Sequence, residues 1–123
     1  VDEQMFRYIH GDTVLWETRC ATATNGTGSE MGSNKTPLGW HQVNGKIGAD
    51  APWGQVFRAR AATKEIWAPG GDTKEDLVLT RVFLLDGLEP GKNQGGQVDS
   101  RARYIYIHGT NAEEKIGTPS SHG

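Results

Sequence analysis

Apolar and polar residues alternate in several short stretches of this chain, and glycine punctuates them. "QMFRYIH" and "TVLWETRCATAT" both alternate in the manner of half-buried strands. Gly11-Asp12 between them suits a two-residue turn, because glycine supplies the positive φ that such turns require. A hairpin is therefore expected at the start, with Val14, Trp16, Thr18 and Cys20 on one face of its second strand. "NGTGSEMGSNKTPLG", residues 25–39, offers turn residues but no apolar face and reads as a long surface loop, a kind of segment that often carries function.

"GQVFRARA" alternates again, and "DLVLTRVFLL" is apolar almost throughout, as in a central strand covered on both sides. "GLEPGKNQGGQVDS" holds four glycines and one proline in fourteen residues and predicts a second long loop, with Asp99 and Ser100 in a turn at its end. "RYIYIHG" then places Ile105 and Ile107 on one face and Tyr104, Tyr106 and His108 on the other. No 3.6-residue apolar period persists long enough for a helix, although "NAEEK" suffices for one turn. The pattern predicts a mostly β fold with long loops and little helix, as one domain over residues 1–123.

Composition narrows the possible functions. A 123-residue chain with 35% hydrophobic residues supports one core. Its 13 basic and 15 acidic side chains are dispersed and leave a formal charge of -2, so the electrostatic footprint of a nucleic-acid binder is missing. No apolar run approaches the ~20 residues of a bilayer span, and "VDEQMFRYIH" lacks the regions of a signal peptide. Cys20 is the one cysteine, which excludes an internal disulfide and a thiolate metal cluster. It reads as a small buried hydrophobe rather than a reactive thiol.

Four histidines remain as candidate chemistry. His10, beside the turn, and His41, after Trp40, read as surface or structural residues. His108 ends an alternating strand where the chain opens into a loop, a place that holds a side chain rigidly yet accessibly, as a general base requires. A hydrogen-bonded structural histidine is the alternative. His122, in "SSHG", has Glu113 and Glu114 as the nearest further ligands but no zinc-ligand spacing, so no metal is expected. Ser120 and Ser121 adjoin His122, but no G-x-S-x-G elbow is present. Arg81 interrupts the apolar strand and calls for a partner, first a structural ion pair and second a substrate carboxylate. Tyr104 and Tyr106 share the face of His108, as cleft lining or as a cross-strand aromatic contact.

The stretch "YIHGTNAEEKIGTPSSHG" resembles the signature of the L,D-transpeptidase catalytic domain, in which His-Gly-Thr is followed, after a loop with an Ile-Gly pair, by Ser-His-Gly-Cys. "GSNKTPLGWHQV" and "DLVLTRVFLLDGLEPGKNQGGQVDSRARYIYIHGT" are similar to further segments of that family, so the likeness covers most of the chain. It implies an L,D-transpeptidase-type β-sandwich or barrel with its C-terminal part missing here, because the family's nucleophilic cysteine would follow Gly123. It also implies a peptidoglycan stem peptide as partner, cleaved between a diamino acid such as meso-diaminopimelate and the terminal D-alanine, with carbapenems as possible inhibitors and no cofactor.

By the same resemblance His108 is the base, and the Gly109 carbonyl holds its tautomer. His122 shapes the pocket, and a Gly123 N–H faces the oxyanion. Ser121 forms part of the approach, with Tyr106 and Arg81 as further candidates for substrate contact. The implied compartment is the periplasm or cell wall. Two alternatives remain open: a noncatalytic wall-binding domain, and an L,D-carboxypeptidase or other hydrolase using the same site.

Overall fold

The computed structural model describes residues 1–70 and 74–123. Strands dominate them, and two short 3-10 turns, Gly96–Val98 and Glu113–Lys115, supply the helix. The second falls within "NAEEK". Strands β1 (Met5–His10) and β2 (Thr13–Arg19) form the expected antiparallel hairpin about Gly11, whose φ is 59°. The hairpin is a two-stranded sheet of its own, and all seven residues of β2 are exposed. The alternation in β2 therefore does not mark a buried face. Phe6 and Trp16 instead meet edge to face across the hairpin, with centroids 6.0 Å apart.

The main sheet contains β3 (His41–Ile47), β4 (Gln55–Arg58), β5 (Ala61–Ile66), β6 (Val78–Gly87) and β7 (Tyr106–Thr110). As the apolar run predicts, β6 is central, with β3 and β4 along one side and β7 along the other. Neither sheet closes on itself, so the architecture is the open, sandwich-type alternative rather than a barrel. Val56, Leu77 and Leu79 form the core with Trp67 against them, and Val82, Phe57, Ile105 and Ala23 are also buried.

Two strands depart from the sequence pattern. "GQVFRARA" is not one strand but β4, a two-residue turn at Ala59-Arg60 and the start of β5. β6 is interrupted by a bulge where its pairing with β7 skips from Leu79 to Val82. There Thr80, at φ 69°, accepts a hydrogen bond from the Gly54 N–H. The same bulge turns Arg81 aside, and its guanidinium donates to the carbonyls of Ala51 (2.8 Å) and Thr80 (2.7 Å). Carbonyls thus replace the expected ion pair.

The loops are tied together by buried polar side chains. Asn93, fully buried, donates to the carbonyls of Leu38 and Trp40 and accepts from the Glu89 N–H. His41 Nδ1–H donates to Gly39 O, and its Nε2 accepts from the buried Ser100 hydroxyl at 2.8 Å. Asp99 accepts from the N–H groups of Ala102 (2.9 Å) and Gly95 (2.7 Å), and these bonds hold its carboxyl below the usual carboxylate value.

A group held low in the folded state stabilises above its unfolded value and loses that contribution as pH falls through the folded value. Asp99→Ala is therefore expected to cost about 1 kcal/mol at pH 7, a difference from the parent that narrows below about pH 4. Urea unfolding of both proteins at pH 7 and pH 3 measures it, and an equal cost at both values would contradict the assignment.

Candidate functional site

Strand β7 presents His108 to solvent. Its register opposite β6 pairs Leu84 with Tyr106, Val82 with His108 and Leu79 with Gly109. Gly109 is required where the two backbones meet, since a Cβ there would lie 2.6 Å from Leu79 O. The His108 Nδ1–H donates to the carbonyl of Gly109 at 2.7 Å. That bond fixes the tautomer and leaves Nε2 as an exposed acceptor, the state in which an imidazole can take a proton.

The second His-Gly element is held by the first part of the chain. Ser121 and Ala23 form a parallel bridge: the Ser121 N–H donates to Thr22 O, and the Thr24 N–H to Ser121 O, both at 2.9 Å. Gly123 lies against Asn34 and Lys35. With φ at 95°, a Cβ on it would stand 2.6 Å from the Asn34 carbonyl carbon. The predicted loop 25–39 is thus the floor of this segment. The Gly123 N–H, expected to face an oxyanion, donates here to Ser121 Oγ at 3.4 Å, a long and weak bond.

Arg103 secures that floor. Its guanidinium donates to Lys35 O (2.7 Å), Gly28 O (3.3 Å) and Ser33 Oγ (3.4 Å), and partial burial among these neutral acceptors pushes its pKa down. Sequence reasoning missed Arg103, because its partners lie some seventy positions earlier and no local pattern marks them.

His122 projects from the same segment into a polar recess with Lys74, Asn111, Ser120 and Lys115, and its Nδ1–H donates to Asp76 Oδ2 at 2.5 Å. Asp76 was missed for the same reason: it lies 46 residues from its partner. Asn111 anchors the recess by accepting from the Leu77 N–H and donating to Glu75 O.

The structure therefore joins His108 with Gly109 and Ser121 with Gly123, and gives His122 a carboxylate. Arg81 is not part of either group, its guanidinium being held by the carbonyls described above. Tyr106 is half-buried beside Tyr104, and burial raises its phenol pKa. Cys20 is half-buried rather than buried; burial raises its thiol pKa, which keeps it protonated and unreactive near neutrality.

Comparison with known families matches the whole chain, residues 1–123, to YkuD, the L,D-transpeptidase catalytic domain. No curated protein and no solved structure matches it.

Proposed function

Because the chain belongs to the YkuD family of L,D-transpeptidase catalytic domains, which act on peptidoglycan stem peptides, we propose that it is a peptidoglycan L,D-transpeptidase working through a cysteine acyl-enzyme. The nucleophile is the cysteine that the Ser-His-Gly motif introduces directly after Gly123. His108 Nε2 removes the thiol proton, and the thiolate attacks the carbonyl carbon of the diamino acid in a tetrapeptide stem.

The C–N bond to the terminal D-alanine then breaks, and the imidazolium returns the proton to the leaving amine. An amine of a second stem, or of an anchored protein, next attacks the thioester and gives its proton to His108. The C–S bond breaks, and the thiolate is restored. The backbone N–H of Gly123 serves the oxyanion once a substrate oxygen displaces its long bond to Ser121, a donor of a kind worth about 3 kcal/mol. The substrate places this chemistry in the periplasm or cell wall, and carbapenems would acylate the same thiol.

The observation that carries the reading is the His108 hydrogen bond to Gly109 O, which commits Nδ1 and leaves Nε2 free on an exposed surface. The exposure of His108 also favours a second outcome, transfer to water, which would make the protein an L,D-carboxypeptidase.

One experiment addresses both. The full-length protein carrying Cys20→Ser is incubated with a disaccharide tetrapeptide and followed by intact mass and product analysis. A thioester adduct with release of D-alanine is expected, then a 3-3 dimer if an amine accepts the acyl group, or a tripeptide if water does. Binding with neither an adduct nor D-alanine release would instead identify a noncatalytic wall-binding domain.

A further inference from the structure

A recess opens on the face of the main sheet that carries His108, further back along β7. Its walls are Tyr104 and Tyr106, the guanidinium groups of Arg60 and Arg101, and Asp86 with Asn44. Arg101 is balanced, since it lies 3.5 Å from Asp86 Oδ2, which also accepts from Asn44 Nδ2 at 2.7 Å. Arg60 is not. Its guanidinium sits over the Tyr104 ring, 5.1 Å from the centroid, and no carboxylate among the described residues pairs with it. The recess therefore holds one uncompensated positive charge on an aromatic platform. Asp86 adds a carboxylate to the wall, its Oδ2 held by Asn44 and Arg101 and its Oδ1 shielded from solvent without a hydrogen-bond donor.

The backbone points the same way independently. Ala59 and Arg60 adopt φ of 49° and 66° in the two-residue connection between β4 and β5, a conformation that asparagine and glycine ordinarily supply. Backbone held in this region by larger side chains is typical of ligand clamps. Here it belongs to the turn that sets Arg60 against Tyr104.

A cation on an aromatic platform, with a carboxylate in the same wall, matches in charge a carbon bearing both carboxylate and ammonium. The spacing along β7 admits a diaminopimelate side chain. Tyr106 and His108 are two residues apart on one face of β7, about 7 Å along the strand. Extended diaminopimelate, which unlike lysine carries two carboxyl groups, separates their carbons by about 7.5 Å. We propose that the recess binds the free ammonium–carboxylate end of the diamino acid whose other carbonyl is attacked, the carboxylate on Arg60 and the ammonium towards Asp86. The assignment rests on the reaction read above.

The test is a titration of the full-length protein with three stem tetrapeptides, followed by NMR of the Tyr104 and Tyr106 rings. One carries diaminopimelate, one its side-chain amide, and one lysine in its place. The free acid is expected to move both ring signals and to bind about tenfold tighter than the other two. Arg60→Gln, which keeps a non-glycine side chain at the same φ, should erase the preference, and Arg60→Lys should keep part of it.

Unmoved tyrosines, equal affinities in the parent protein, or a preference surviving Arg60→Gln would overturn the inference. A parallel assay of D-alanine release separates the two claims. Moved tyrosines without release would leave the recess and remove the transpeptidase; release at equal rates from all three peptides would do the reverse.

Discussion

His108→Ala is expected to lower kcat for D-alanine release by about a thousandfold, the middle of the range for loss of a positioned general base. The ring is exposed and, among the described residues, its side chain hydrogen-bonds to the neighbouring Gly109 carbonyl alone, so no core contact is lost and the thermal midpoint should stay where it is. Alkylation of the proposed catalytic thiol by iodoacetamide should slow in parallel, since in the proposed mechanism the same imidazole draws off its proton. His41→Ala is the contrast. It breaks the link between Gly39 and the buried Ser100 and should reduce stability while leaving the proton transfer itself intact. Activity within threefold of the parent for His108→Ala would remove this residue from the mechanism.

The second large effect is expected from one methyl group. Gly123→Ala introduces a Cβ 2.6 Å from the carbonyl carbon of Asn34 and 2.9 Å from both Asn34 O and Lys35 N, at a φ of 95°. The obstacles are backbone atoms of a loop clamped by Arg103 and cannot swing away as a long side chain would. The segment must shift instead, and a displacement of about 1 Å in a reacting group costs on the order of a hundredfold in rate. The expected result is a loss of that size in kcat with little change in unfolding midpoint, since the contact lies outside the core cluster. Release of D-alanine at more than a third of the parent rate would show that the Asn34–Lys35 floor does not position the nucleophile.

The parts of the fold that were legible in the sequence are those set by short-range patterns. The opening hairpin was marked by Gly11, and β6 by an apolar run too long for anything but a central strand. β3 escaped notice because its alternation is broken: Asn44 is bulged between Val43 and Gly45, which throws the side chains out of phase. The β4–β5 turn was hidden by having no glycine. β7 starts three residues later than its alternation suggests because Tyr104, at φ 57°, still belongs to the preceding turn.

The candidate site divides in the same way. The His108–Gly109 bond joins adjacent residues, whereas Asp76 with His122, Arg103 with loop 25–39, and Arg60 with Tyr104 are contacts that only the folded topology creates.

The bridge between Ala23 and Ser121 bears on when, as well as where, the Ser-His-Gly segment takes shape. Its partners are about a hundred residues apart, so joining them carries the closure entropy of a long loop until the intervening sheet has folded and shortened it. Pairing of so high a contact order is slow to form compared with local contacts. During synthesis, the hairpin and central sheet can organise before residues 121–123 emerge, and the segment then closes onto a floor already in place. The Ser-His-Gly segment thus acquires its shape only once the residues that floor it are in place.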